Sequence, residues 1–293
     1  MHTYLRAIGF SNIKKGKDIE QLLKDIYENF DDSYVVSEAC NQVFGEYSKS
    51  YGTDIGIKIC GTEDKDGFHR EYYFPYLNGS GISTEGTLAL EKHHASESYA
   101  GICEDVRVGM SLVFYLQNIA AYKKQVASET VDISEAKITF SGLSVEGVIL
   151  LPICKSEEQI NFDKEERKNR RELIAEARNG NEEAIESLTL EDIDTYSTIV
   201  KRLQQEDVFS IVDTVFMPCG VECDQYHVMG EILEVDKTEN VYTKETVYLL
   251  TISCNEITFK ICMNQLDLQG EPSVGRRFKG SIWMQGAINF QED

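Results

Sequence analysis

Histidine is scarce in this chain, with five in 293 residues, and that scarcity limits any metal centre built on imidazole. Basic charge is scarce as well: 29 lysines and arginines stand against 50 acidic residues, for a formal net charge of −21. A surface of that sign repels phosphate backbones, so nucleic-acid binding is not expected. The acidity is spread along the chain and reads as a solubility property of the whole surface. Apolar runs such as Val148 to Leu151 fall far short of the roughly twenty residues that span a bilayer, so no membrane association is expected. Met1 to Phe10 has no basic region followed by a long apolar stretch. It reads as a first strand and not as a secretory signal. The expected compartment is the cytoplasm.

Motifs that carry chemistry are missing too. Asn78-Gly-Ser-Gly81 lacks the glycine spacing that cradles a phosphate at a helix start, so no nucleotide loop and no cofactor are expected. No Gly-x-Ser-x-Gly elbow is found, which leaves serine-hydrolase chemistry without an anchor. The eight cysteines sit in a long chain with no export signal, and most have apolar neighbours, as in Ile57-Lys-Ile-Cys60 and Phe259-Lys-Ile-Cys262. They are expected to be reduced thiols acting as small hydrophobes.

Hydrophobic residues make up 42% of the chain, ample for a core, and its length favours more than one compact unit. Ile19, Leu22, Leu23, Ile26, Tyr27 and Phe30 fall on one helical face. Extended runs at 43–51, 54–60 and 68–77 are separated by glycine- and aspartate-bearing turns and predict an antiparallel meander. Further strands are expected at 111–116, 136–140 and 147–153. The stretch 155–207 is charged and poor in β-branched clusters, hence helical. Gly180-Asn181 marks one helix ending and the next beginning, and Thr189 with Asp192 resembles a capping box that opens a third helix. On that helix Ile193, Tyr196, Val200 and Leu203 line one face. From Val208 onward strands return at 208–217, 227–235, 247–253, 257–263 and 277–284, which suits a small barrel or sandwich. The expected class is α+β: a sheet-rich domain over 1–154, a helical connector over 155–207, and a small all-β domain over 208–293, OB-like in form.

With Tyr4-Leu-Arg-Ala-Ile-Gly-Phe10, Glu97-Ser-Tyr-Ala-Gly101, Phe114-Tyr-Leu-Gln-Asn118, Leu188-Thr-Leu-Glu-Asp-Ile-Asp-Thr-Tyr196 and Gly270-Glu-Pro-Ser-Val-Gly-Arg-Arg-Phe-Lys-Gly280, the chain resembles a family of uncharacterised proteins of similar length from anaerobic Gram-positive bacteria. The resemblance covers nearly the full length. It implies a bacterial cytosolic origin and supplies no catalytic residues.

Three local clusters could carry function. Glu91-Lys-His-His94 with Glu97 would, if helical, put His93 and Glu97 four apart on one face, a geometry that presents two ligands to a divalent cation. His93, His94 and Glu97 would then serve a metal-dependent hydrolase, against the alternative of a solvated segment. Cys219, Cys223 and His227 are spaced more loosely than the Cys-x-x-Cys knuckles zinc prefers, so no stoichiometric zinc is expected. The most unusual charge is Arg276-Arg277-Phe278-Lys279 in an acidic chain. Strand alternation puts Arg277, Lys279 and Trp283 on one face, where they could engage a protein partner or a small anionic ligand by charge-assisted contacts and cation–π stacking. A structural ion-pair face is the competing account. The sum of these readings is a non-catalytic binding or adaptor protein.

Overall fold

A computed structural model describes residues 3–13, 16–37, 43–93, 97–105, 107–127, 136–220 and 224–290, with nothing said of the Ile160 side chain. The described chain opens with a 3-10 turn, Thr3–Ile8, and helix α1, Gly16–Glu28. A meander follows: β1 (Asp32–Ser37), β2 (Val43–Gly52), β3 (Ile55–Asp64) and β4 (Gly67–Leu77). Next come β5 (Thr84–Gly86), β6 (Leu88–Lys92), β7 (Tyr99–Asp105), β8 (Met110–Leu116), α2 (Ile119–Ala127) and β9 (Ala136–Leu150). Two 22-residue helices form a hairpin, α3 (Glu157–Arg178) and α4 (Glu182–Leu203), and α5 is a single turn at Val208–Ile211. The remainder is β10 (Val215–Pro218), β11 (Gln225–Glu239), β12 (Thr246–Cys254), β13 (Ile257–Asn264), β14 (Leu268–Gln269) and β15 (Arg277–Asn289).

The strands make an antiparallel four-stranded sheet, β1-β2-β3-β4, and an eleven-stranded one. Within the larger sheet five strands close a ring. β11, β12 and β13 form a meander, β13 runs parallel to β9, and β9 pairs antiparallel with β15, which pairs antiparallel with β11. This is the pairing order of an OB-type barrel whose last strand has moved to the front of the chain, since β9 precedes the helical hairpin and the other four strands follow it. The protein is α+β, with a barrel-like sheet in its C-terminal part. Strands from before and after the hairpin share that sheet. β15 ties the barrel to the rest: its first half pairs with β11, and Gln285 and Gly286 pair with Tyr115 and Leu116 of β8.

A fully buried polar cluster joins the two sheets. Gln285 accepts from Leu77 N and donates to Pro75 O, while Gln117 donates to Leu77 O, to Ser141 Oγ and to Gln285 itself. Buried amides keep their hydrogen bonds only in one relative placement of the strands that supply the partners, so the cluster fixes how β4 sits on β15. Close packing does the same at Phe114. A Cβ on Gly101 or on Gly286 would lie 2.2 or 2.4 Å from the Phe114 ring, so both positions demand glycine.

Several expectations are corrected. Residues 3–8 form a 3-10 turn and not a strand: Leu5, Ala7 and Ile8 bury their side chains against β4, β9 and β13, and Gly9 at φ 90° ends the turn. The strands expected at 136–140 and 147–153 are one, β9. It runs unbroken through Gly142, which is packed against Ile282 and Ile261, and ends at Leu150. The helix expected to begin at Thr189 is the middle of α4, where the Thr189 hydroxyl donates to Ile185 O one turn back and caps nothing. The working capping box is Ser156 with Gln159, and Asn181 caps α4 by accepting from Glu183 N and Ala184 N. Residues 208–217 divide between α5, which Asp207 caps, and β10.

Candidate functional site

Register builds the candidate site. On one face of the barrel β15 lies between β11 and β9, so two cross-strand rows stand side by side. Lys279 is opposite Met229 and Val148, and Ser281 is opposite His227 and Glu146. Directly opposed side chains in a sheet share a face and stand within contact distance. The second row is hydrogen-bonded throughout, with Ser281 Oγ 2.8 Å from Glu146 Oε1 and 2.9 Å from His227 Nδ1. The hydroxyl has one proton, and an ionised carboxylate only accepts. Ser281 therefore donates to Glu146, and His227 Nδ1–H donates to Ser281. A nucleophile relay needs the imidazole to take the serine proton, and this order does the opposite.

Above the rows, Phe209 of α5 and Val215 of β10 wall a groove of about 370 Å³, lined also by Val148, Met229, His227 and Lys279 and by two engaged carboxylates, Glu146 bonded to Ser281 and Asp267 paired with Arg6. The Lys279 ammonium sits 4.6 Å from the Phe209 ring centroid. Among the described residues no carboxylate lies within ion-pair distance of it. An exposed lysine over an aromatic face beside apolar walls offers an anion both a charge and a hydrophobic seat.

The residues expected to accompany Lys279 lie elsewhere. Arg277 is buried, 5% exposed, and its guanidinium donates to Leu151 O, Val212 O and Phe209 O at 3.0, 2.9 and 2.7 Å. Burial lowers its pKa below the usual arginine value, with Asp213 opposing that shift. Trp283 is 4% exposed; its indole donates to Asp224 at 2.7 Å and its ring lies between Tyr4 and Tyr115. Alternation along β15 is right, but the face it defines is covered at both ends, so only Lys279 of the three reaches solvent. Ser281, Glu146 and Phe209 carried no signal in the sequence, because their meeting depends on pairing between strands more than 130 residues apart.

The histidine cluster has a different form from the one expected. Leu88–Lys92 and Tyr99–Asp105 are paired antiparallel strands, so no helix spaces His93 and Glu97 on one face. His94 lies outside the described residues. Glu97 accepts from Lys92 and, at 2.7 Å, from Lys123; burial raises its pKa and these two ammonium groups outweigh it, holding the carboxyl below the usual range. Of the loose cysteine set, Cys223 lies outside the described residues, Cys219 is half-buried with its N–H on Gln225 O, and His227 is bound to Ser281. Among the described residues no three His, Cys, Asp or Glu side chains converge as metal ligands. Burial pushes the thiols of Cys103 and Cys254 up to about 12, which suits their packing role.

A family model described as "Domain of unknown function, E. rectale Gene description (DUF3881)" matches residues 5–286. The chain belongs to that family. The match runs through the meander, the helical hairpin and the barrel, and its description names an anaerobic Gram-positive bacterium, in line with the resemblance noted from sequence. No curated protein and no solved structure matches. No helix among the described residues is long and apolar enough to cross a membrane.

Beside α3 lies a second cleft lined by Arg107, Arg167, Arg170 and Arg171. Its arginines are matched by acids: Arg107 bonds Asp105, Arg171 bonds Glu256, and Arg170 bonds Asp192. Burial raises the Asp105 pKa, but bonds from Arg107 and Thr84 overcome it and hold the carboxyl below its ordinary value. A carboxyl depressed in the folded state contributes stability above its unfolded pKa and loses it as pH falls through the folded one. Denaturation free energy is therefore expected to fall on acidification below about pH 4. Asp105→Asn should show a smaller fall than wild type between neutral and acidic buffer. Equal falls would remove Asp105 as a source.

Proposed function

We propose that this chain is a non-catalytic, cytosolic bacterial binding protein whose barrel groove takes a small anionic ligand with an apolar body. One observation carries the reading: Lys279, exposed over Phe209 with no carboxylate partner among the described residues, stands at a groove with apolar walls. The less exposed lysines elsewhere are engaged, Lys58 by Glu46, Lys260 by Asp54 and Lys155 by Asp163 and Asp213. What distinguishes Lys279 is its place at the groove, where an ammonium over an aromatic ring suits an anion with an apolar body. The proton order in the Glu146–Ser281–His227 row supports binding over acyl transfer.

Charge reversal tests the reading. Octanoate is expected to raise the melting temperature of the wild-type protein, and octylamine is not. In Lys279→Glu the preference should invert, with the octanoate response lost and an octylamine response gained. An octanoate response that survives Lys279→Glu would show that the ammonium does not hold the anion.

A further inference from the structure

The barrel groove holds an acid as well as a base, and the two do not meet. Glu146 is exposed, and its carboxylate accepts one hydrogen bond, from Ser281 Oγ at 2.8 Å, which engages Oε1. Among the described residues no cation lies within ion-pair distance of it, Lys279 in the same groove included. Register explains the separation. Glu146 is opposite Ser281 and Lys279 is opposite Val148, so the two are diagonal neighbours on one face. Their rows are two residues apart along each strand, about 7 Å.

His227 stands in the Glu146 row. Its Nδ1–H donates to Ser281, so the neutral imidazole has Nε2 left as an acceptor. One row of the groove therefore offers a cationic donor, Lys279, and the next offers two acceptors, Glu146 and His227. Phe209, Val215 and Met229 supply apolar surface beside them.

A simple carboxylate matches half of this arrangement. Seated at Lys279 it lies near Glu146, and like charges in one small cleft oppose each other. A ligand that carries its own ammonium removes that repulsion and gives N–H donors to the acceptor row. In an α-amino acid the two charged groups sit about 3 Å apart, and a hydrogen bond of about 2.8 Å at each end extends the reach to about 8 Å when the three are not quite in line. That reach matches the row spacing, and an amino acid with several carbons between its charges would overshoot it. The volume of about 370 Å³ is at the small end of the roughly 300–1,000 Å³ of ligand clefts, which suits one amino acid. We propose that the groove takes a free α-amino acid with an apolar side chain, its carboxylate on Lys279, its ammonium on Glu146 and His227, and its side chain against Phe209 and Val215. This rests on the reading of the groove as a carboxylate site and adds an ammonium to the ligand.

Isothermal titration of the full chain with L-leucine and L-phenylalanine, and with their des-amino forms 4-methylpentanoate and 3-phenylpropanoate, tests this. At least one amino acid is expected to bind tenfold or more tighter than its des-amino form. Glu146→Gln keeps a carbonyl oxygen for Ser281 and removes the charge, so it should weaken the amino acid at least tenfold and strengthen the des-amino form. Lys279→Met should weaken both. Des-amino forms that bind as tightly as the amino acids, with both dependent on Lys279, would overturn the inference and leave the groove a simple anion site. A preference for the amino acids that survives Glu146→Gln would overturn it as well. Binding by none of the four, or binding indifferent to Lys279→Met, would overturn the inference together with the reading beneath it.

Discussion

Arg277→Ala is expected to destabilise the protein by about 3–5 kcal/mol, while Lys279→Ala, two residues away on the same strand, is expected to cost less than about 1 kcal/mol. The contrast follows from what each cation touches. Arg277 is buried and donates to three backbone carbonyls, Leu151 O just before α3 and Phe209 O and Val212 O just after α4. It clamps both roots of the helical hairpin to the barrel. Truncation leaves those carbonyls without their charged donor, and unsatisfied buried acceptors cost about 1–3 kcal/mol apiece before any relaxation lets water in. Arg277→Lys should recover part of the loss, because an ammonium keeps the charge but cannot reach three acceptors with the fixed fork of a guanidinium. Lys279 loses only a surface cation–π contact. Denaturant titration of the three variants checks this, and a small effect for Arg277→Ala would show that the hairpin roots are held by something else.

A comparable loss is expected at Glu46. Its carboxylate is 3% exposed, lies 2.6 Å from Lys58 Nζ, and accepts from Ala120 N in the first turn of α2. Lys58 in turn donates to Gln117 O. Glu46→Ala strands the ammonium in a buried setting and removes an acceptor from a helix N-terminus, for an expected cost of about 3–5 kcal/mol. Removing both charges is a different matter. Desolvation works against each ion of the pair, so Glu46→Met with Lys58→Met fills similar volume without a lone charge and should cost much less than Glu46→Ala alone. A double variant as unstable as the single one would mean that the helix contact, and not the stranded lysine, dominates.

What could be read from sequence was local. Helix α1, the meander over β2, β3 and β4, and the junction at Gly180-Asn181 follow from apolar spacing and turn chemistry within a few residues, and the structure has them where the pattern put them. Ring closure was not legible: that β9 lies between β13 and β15 is a pairing across the hairpin, and nothing in residues 136–150 names its neighbours. The same limit shaped the site. Lys279 stood out because a basic run is unusual in an acidic chain, but alternation gives only the side of a strand and not what covers that side. Arg277 and Trp283 share the side and are covered, one by the hairpin roots and the other by Tyr4 and Tyr115. Strand β1 also shows how weak short signals are, for its six residues are almost wholly exposed and offered no buried alternation to detect.

Isothermal titration of octanoate into the wild-type protein and into Lys279→Met tests the central claim most directly. Methionine keeps the length and apolar stem of the lysine and removes only its charge, so packing around Phe209 and Val148 is retained. Saturable binding is expected in the wild type, at least tenfold weaker in Lys279→Met, a difference of about 1.4 kcal/mol. Equal affinity in the two proteins, or no saturable heat in either, would contradict the assignment of this groove as an anion site.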